Sequence, residues 1–194
     1  VGAAAEGLVI SGGSSITLRD CGFSGTATGA DVVFLLVDGA DDVEIAESWL
    51  HALHHTGAPS GTRILRALRV ADAQGFTLHH SELSDLGFTT PGTAANSILE
   101  GVRVSSSHDV RIHHVLVHDL YTRASGTNHL SVFGLSNINA FDWVGAFDFH
   151  NVTIDDVRHA DSPMETTVTA GHVNGGYFGS CGGTRVWRDN IVAH

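Results

Sequence analysis

The chain has 194 residues, of which 42% are hydrophobic and 16% are charged, so it is long enough to bury a core and lacks the composition of a disordered chain. Its net charge of −11 opposes binding to phosphate backbones and disfavours a nucleic-acid-binding protein. The longest apolar run, residues 32–37, is too short for membrane insertion as a helix.

One short phrase recurs along the chain. It consists of an apolar run, a polar corner, an apolar–polar–apolar triplet, two polar residues and a second apolar run. The alternation with a period of two predicts short β-strands that bury one face, and the Ser, Gly, Asp and Asn residues between them are typical of turns. The four clearest triplets begin at Ile16, Val43, Phe76 and Val110.

Three short strands in a repeat of roughly 30 residues predict parallel strands stacked in successive coils, because one coil alone cannot bury its apolar side. We expect an all-β chain of about five to seven coils, with residues 1–194 forming a single domain that is a segment of a longer chain. Two alternatives are a β-sandwich of alternating strands and, locally, a helix over residues 46–55, where apolar side chains also have helical spacing.

The register of the repeat is ambiguous after the fourth triplet. Residues 141–143 and 152–154 both fit the triplet, but they are too close together to occupy the same place in successive coils. Residues 187–192 match the later half of a further copy. The sequence therefore predicts that the stack continues without defining which residues align.

The two cysteines, Cys21 and Cys181, lie in the first and last parts of the repeat pattern. Neighbouring coils are expected to be about 4.8 Å apart, so four or more intervening coils would separate these residues by roughly 20 Å. A disulfide requires Cα atoms within about 7 Å. We predict that these two cysteines do not form a bridge.

The phrases ITLRDCGF, VRIHHVLV, NVTIDD and WRDNIVAH resemble the repeats of right-handed parallel β-helix proteins of the pectate-lyase-like superfamily. The resemblance covers nearly the whole chain and implies that fold, with long loops after the third strand of each coil. It also implies an extracellular or cell-surface protein that binds or cleaves polysaccharide, often acidic, in a groove walled by those loops. The corresponding insertions are residues 54–62, 87–97, 122–128 and 158–184.

Arginines on the first strand of neighbouring repeats form a candidate substrate-binding site. Arg69 and Arg103 occupy equivalent outward positions, and Arg66 matches Glu100 one step earlier. A column of guanidinium groups suits the carboxylates of a uronate chain, which they bind in bidentate fashion. The alternative is an exposed Arg–Glu ladder that contributes little energy.

The motifs leave open whether the chain is an enzyme. Elimination requires a base that removes a proton beside a neutralised carboxylate. The calcium-binding aspartates and Arg-x-Pro-x-x-Arg phrase of pectate lyases are not found, nor are the Gly-Asp-Asp and Gly-His-Gly phrases of polygalacturonases. If the chain is an enzyme, we expect a polysaccharide lyase or glycoside hydrolase. Its candidate catalytic residues are Arg69, Arg103, His129 and Tyr121.

Histidines form a second candidate site. The pairs His79-His80 and His113-His114 follow the central triplet in neighbouring repeats. Imidazoles stacked about 4.8 Å apart suit a divalent ion such as zinc, copper or nickel, but a metal-free polar ladder is the simpler interpretation, so no cofactor is favoured. Other repeats are expected to place Arg19-Asp20, Ala46-Glu47 and Asp155-Asp156 in the same column.

A third interpretation is a non-enzymatic segment of a surface fibre, adhesin or passenger domain. The pattern begins and ends without polar caps, and the unpaired edges of a parallel stack favour self-association. This interpretation predicts end-to-end contact or further coils instead of a glycan ligand.

Overall fold

The computed structural model describes residues 5–57, 62–89, 96–122, 127–136, 147–155, 157–159, 176–179, 185–188 and 191–192. These ranges contain β-strands and no helix, and accordingly no helix in them is long and apolar enough to cross a membrane. The strands in chain order are β1 (Ala5–Ser11), β2 (Ser14–Arg19), β3 (Gly22–Ala27), β4 (Asp31–Asp38), β5 (Asp41–Ala46), β6 (Trp49–His55), β7 (Arg63–Ala71), β8 (Thr77–Phe88), β9 (Asn96–Ser105), β10 (Val110–Thr122), β11 (Thr127–Ser136), β12 (Phe147–Ile154), β13 (Val157–His159), β14 (Gly176–Gly179), β15 (Arg185–Arg188) and β16 (Ile191–Val192).

The strands form two sheets. The six-stranded sheet has the order β1-β4-β7-β9-β11-β14, and the ten-stranded sheet has β15-β12-β10-β8-β5-β2 as its main path, beside which β3, β6, β13 and β16 pair. All pairings between the described strands are parallel. The predicted all-β class is confirmed, and the parallel stack is compatible with a β-solenoid, whereas a β-sandwich is built from antiparallel sheets.

The chain visits the two sheets in turn. Each strand of the six-stranded sheet is followed by two strands of the ten-stranded sheet, or by one long strand that takes both places, as β8 and β10 do. The triplets align as expected: Ile16 pairs with Val43, and Thr77 pairs with both Glu44 and Arg111. The repeat in the sequence is therefore the repeat of the stack.

The fifth triplet is neither of the two segments that the sequence suggested. Val110 pairs with Phe147, so the triplet is residues 147–149, and residues 152–154 pair with the later part of β10. The C-terminal match is correct, because Trp187 pairs with Phe149. The spacing of the repeat lengthens here, and periodicity alone could not follow it.

Two local expectations are also corrected. Residues 46–55 are not helical: β6 occupies most of them, with Leu50 and Leu53 fully buried. The predicted loop 158–184 is interrupted, since β13 extends into it and β14 pairs with β11 within it. Most of the remaining insertion residues lie outside the described residues.

The core lies between the sheets and is built from register partners. Leu35, Leu68 and Val102 follow one another across the six-stranded sheet, and all are 0% exposed. The other sheet supplies equivalent rows, such as Leu78 paired with Ile112. Because each row continues into the next strand, burial is shared along the stack.

Cys21 donates its thiol hydrogen to the carbonyl oxygen of Arg19 at 3.3 Å. Cys181 lies outside the described residues, so the absence of a Cys21–Cys181 bridge stays a prediction. Cys21 also begins a row of small polar residues, in which the Ser48 hydroxyl accepts from the Cys21 amide and the Ser81 hydroxyl accepts from the Ser48 amide.

A left-handed corner recurs at one level of the ten-stranded sheet. The residues there have φ between 48° and 53°, a conformation that Asp, Asn and His adopt more readily than other side chains. Ser81 supports the corner after β8's first segment, accepting from the Ser48 amide at 3.2 Å and donating to the His79 carbonyl at 2.8 Å. The exposed corner residues are Asp20, Glu47, His80, His114 and Asn151.

Candidate functional site

The arginine strip comprises Arg66 and Arg69 of β7 and Arg103 of β9, with the carboxylates of Asp31 and Glu100 beside them. Arg66 pairs with Glu100, and Arg69 pairs with Arg103. Buried apolar residues alternate with these positions along both strands, which directs the charged side chains away from the core. The register expected from the sequence is present.

Glu100 is the centre of the strip. Its Oε2 accepts a hydrogen bond from Arg66 Nε at 2.6 Å, and its Oε1 accepts one from Arg103 at 2.8 Å. Arg66 also donates to Asp31 at 2.7 Å. The Glu100 side chain is only 7% exposed, so two guanidinium groups compensate a nearly buried charge. Glu100, predicted to bind substrate, thus bonds to Arg66 and Arg103 of the strip.

Arg69 differs from the other two arginines. It is half-buried, and no side chain in the described ranges forms an ion pair or hydrogen bond with it. Its row runs from Leu36 through Arg69 and Arg103 to the backbone of Gly134. The guanidinium group of Arg69 therefore has N–H donors available for an external carboxylate.

The four candidate catalytic residues do not share one strand face. Arg69 and Arg103 lie in the six-stranded sheet, whereas Tyr121 ends the long strand β10 of the other sheet, 6.3 Å from the ring of His54. His129 pairs through its backbone with Ile98 of β9, and its side chain is outside the described set. Tyr121 therefore lies on a different sheet from the two arginines.

The histidine ladder lies on the ten-stranded sheet, just before and at the left-handed corner. His79, His113 and His150 are register partners on β8, β10 and β12. Their rings stack at centroid distances of 5.0 and 4.9 Å. His80 and His114 stack beside them at 4.7 Å, with planes 4° apart.

His150 was missed in the sequence because the register after Val110 was ambiguous. The expectation that Asp155 and Asp156 continue this column is wrong: His150 and Asn151 occupy it, since β12 pairs with β10 from Phe147 onward. The signal available in the sequence was a fifth triplet followed by a histidine, hidden by the longer insertion before it.

Within each strand the two ladder histidines meet edge to face. The Nδ1 atoms are 2.8 Å apart in His79-His80 and 2.9 Å apart in His113-His114. A neutral imidazole carries one N–H, so each of these contacts shares a single proton. The left-handed corner produces this geometry, because it turns the second ring nearly perpendicular to the first.

Polar neighbours fix the orientation of the outer rings. His79 Nε2 donates to Glu44 Oε1 at 2.7 Å, and His150 Nδ1 donates to Asp148 Oδ1 at 3.0 Å. Asn151 donates to His114 Nε2 at 3.1 Å. The hydrogen bond with His79 is the main cause that lowers the pKa of Glu44. These contacts decide which nitrogen of each ring keeps a lone pair.

Two histidines of the ladder, His113 and His114, have lowered pKa values. Burial, followed by the positive charges of His150, His79, His114 and His80, lowers the pKa of His113 to about 4. The pKa of His114 is also lowered, by burial and then by its histidine neighbours. Imidazole binds metal ions in its neutral form, and the lowered pKa values of His113 and His114 favour that form.

The two candidate sites lie on different sheets and differ in chemistry: one holds guanidinium groups and the other holds imidazole nitrogens. No protein-family model matches this chain, and neither a curated protein nor a solved structure matches it significantly.

Proposed function

We propose that the chain is a right-handed parallel β-helix that binds an acidic, uronate-containing polysaccharide on its arginine strip, outside the cell or at its surface. The fold part is supported by parallel pairing of all described strands and by the alternation of the chain between two sheets. Connections between parallel strands of one sheet are right-handed in almost all proteins, which supports the handedness.

One observation carries the binding proposal: Arg69 and Arg103 are register partners on one strand face, and Arg69 has no partner among the described side chains. Adjacent strands are about 4.8 Å apart, so the two guanidinium groups address neighbouring positions of an extended ligand. The planar fork of arginine matches a carboxylate. A repeating uronate chain supplies such groups at regular intervals.

Glu100 supports this role by holding its neighbours in place. Arg103 donates from Nη1 to Glu100 at 2.8 Å, which holds its guanidinium group on the strand face. A positioned side chain loses less conformational entropy on binding than a free one. The strip thus contains one arginine without a described partner between two that are already positioned.

The test is calorimetric titration with uronate oligosaccharides, using neutral oligosaccharides of the same length as the ligand control. We expect Arg69→Gln to weaken binding about tenfold, because it removes hydrogen bonds to a charged group, and the double variant Arg69→Gln, Arg103→Gln to abolish it. Arg111→Gln is the matched control, since Arg111 is an exposed arginine of the other sheet. Equal affinity in the double variant and the control would reject the proposal.

Cleavage is a separate readout of the same samples. A lyase would generate unsaturated uronate ends and a hydrolase would generate new reducing ends, so product analysis decides between polysaccharide lyase, glycoside hydrolase and binding alone.

A structural role in a fibre is the second candidate, favoured by the edge strand β1. Leu8 and Val9 are each 42% exposed, whereas their partners Leu35 and Leu36 are 0% and 7% exposed. Either end-to-end contact with a second copy or further coils would cover this apolar edge. If a second copy covers it, sedimentation velocity should show concentration-dependent elongation that is lost in Leu8→Lys, and a particle that stays monomeric at all concentrations would reject self-association.

A further inference from the structure

The histidine ladder is an exposed cluster of nitrogen donors that polysaccharide binding does not use. His80, His113 and His114 each offer a ring nitrogen, and these atoms lie within 4.8 Å of one another. We propose that the ladder binds one divalent transition-metal ion through these three histidines, and that Cu²⁺ or Ni²⁺ is preferred over Zn²⁺.

The distances favour ligands at right angles. With metal–nitrogen bonds of 2.0–2.1 Å, neighbouring ligands of a square-planar or octahedral ion are about 2.9 Å apart and opposite ligands about 4.1 Å apart. The Nδ1 atoms of His113 and His114 are 2.9 Å apart. Tetrahedral Zn²⁺ would need about 3.3 Å between them, which is why the geometry favours Cu²⁺ and Ni²⁺.

The third ligand requires a small movement. The span of 4.8 Å has to contract by about 0.7 Å to reach the separation of opposite ligands. His80 and His114 are both exposed, so their rings can rotate without displacing core residues. When the ion binds, the proton between the two Nδ1 atoms has to move to Nε2 of His114, so that both Nδ1 atoms present a lone pair and both rings stay neutral. The Asn151 side chain, which now donates to His114 Nε2, can turn its amide oxygen to accept from that N–H.

The flanking groups are those that commonly surround metal-binding histidines. Such histidines usually donate their second N–H to a carboxylate, which fixes the tautomer and increases the donor strength of the ligand nitrogen. Glu44 accepts from His79, and Asp148 accepts from His150. These two histidines stack on either side of His113 and are available as further ligands or as orienting neighbours.

Electrostatics also favours a cation at this position. Glu44 and Asp148 each bring a carboxylate next to the rings. The chain as a whole has a net charge of −11. A metal-free ladder would place five imidazoles together for little stabilisation, since each cross-strand side-chain pair contributes only weakly.

The test uses the purified chain at pH 7.5 and CuSO₄, NiCl₂ or ZnCl₂ as the only ligand. Titration should show one tight site for Cu²⁺, a weaker one for Ni²⁺ and the weakest for Zn²⁺. Electron paramagnetic resonance of the Cu²⁺ form should show coupling to several nitrogens. Failure of all three ions to bind, tighter binding of Zn²⁺ than of Cu²⁺, or a spectrum with oxygen ligands alone would overturn the proposal.

The decisive variant is the double substitution His80→Asn, His114→Asn. Asn151 occupies the same corner on the next strand with φ 52°, so asparagine suits the backbone at both positions. We expect at least about 100-fold weaker Cu²⁺ binding, because loss of a ligand costs more than the 10–100-fold loss seen for outer partners. His51→Asn is the matched control, an exposed histidine outside the ladder, and should bind as the original chain does.

Glu44→Gln provides a second test that leaves every ligand in place. It keeps a hydrogen-bond acceptor for His79 but removes a negative charge next to the ladder, so Cu²⁺ affinity should fall about threefold, less than in the double variant. Unchanged affinity in both the double variant and Glu44→Gln would assign the bound ion to other groups and overturn the proposal. The outcome is independent of glycan binding, which depends on the other sheet.

Discussion

The arginine strip and the histidine ladder both stack like side chains, but they compensate the charge of those side chains in opposite ways. Both place like side chains on neighbouring parallel strands, where register brings them about 4.8 Å apart. In the strip, Glu100 lies between Arg66 and Arg103 and bonds to both. In the ladder, His113 stacks directly on His79 and His150 with no group between them.

The difference follows from whether the side chain can lose its charge. Arginine stays protonated in proteins, so a stacked row of arginines needs carboxylates within it. Histidine becomes neutral when burial and its neighbours lower its pKa, as they do for His113, and the rings then stack face to face. The strip therefore has a structural ion-pair network, whereas the ladder keeps unshared nitrogen lone pairs.

The largest effect should come from breaking the strip at its centre. Glu100→Gln leaves Arg66 and Arg103 as largely enclosed positive charges without their shared carboxylate, which should lower the free energy of unfolding by about 3 kcal/mol. Urea denaturation monitored by circular dichroism measures the change. Glu47→Gln is the control, because Glu47 and its partner Arg19 are about half exposed and such pairs contribute at most about 1 kcal/mol. Similar losses in the two variants would contradict a structural role for Glu100.

The next largest effect is expected from removing the hydroxyl group that supports the left-handed corner of the ladder. Ser81 is buried, and its hydroxyl group joins β8 to Ser48, which lies between β5 and β6. Ser81→Ala removes both hydrogen bonds and should cost about 1–2 kcal/mol, with reduced amide-exchange protection at Ser48 as a local readout. If protection at Ser48 is unchanged, the corner does not depend on this hydroxyl group.

His55 tests whether burial keeps an imidazole neutral at a position outside the ladder. It is fully buried, its Nε2 donates to the Gly29 carbonyl at 2.6 Å, and its Nδ1 accepts from the Gly57 amide at 3.2 Å. Burial is the main cause that lowers the pKa of His55 below 6.5, and the positive charge of Arg63 adds to it.

The unfolded chain therefore binds more protons than the folded chain as the pH falls below 6.5, and stability decreases in that range. The effect is absent above that range, where His55 is neutral in both states. His55→Gln should show a shallower decrease in unfolding free energy between pH 7 and pH 5, because glutamine donates and accepts but does not titrate. Parallel pH profiles for the two proteins would show that His55 is not responsible.

The sequence was sufficient to predict the pairing of both sites as far as β10. The spacing between triplets stays close to the period of the stack up to Val110, so Arg69–Arg103 and His79–His113 follow from counting. The insertion before β12 then changes the spacing without changing the stack. Insertions of this kind have no periodic signal, which is why His150 was missed.

The alternation of apolar and polar residues could not predict which outward-facing side chains are buried by their neighbours. A period of two places Glu100 on the same face as Arg66, but only the folded side chains show that two arginines enclose it to 7% exposure. The perpendicular arrangement of the ladder rings could not be predicted from the sequence either. It depends on the left-handed corner at His80 and His114, a conformation that no single residue type determines.

The smallest expected effect is the one that separates the two regions most clearly. His114→Asn in metal-free protein should change the free energy of unfolding by less than about 0.5 kcal/mol, because the ring is exposed and asparagine suits the left-handed corner. Thermal and urea unfolding with a chelator present measure this change. A loss as large as that of Glu100→Gln would mean that ring stacking holds the strands together. A negligible loss, combined with weakened Cu²⁺ binding, would mean that the strip stabilises the stack while the ladder exists for its ligand.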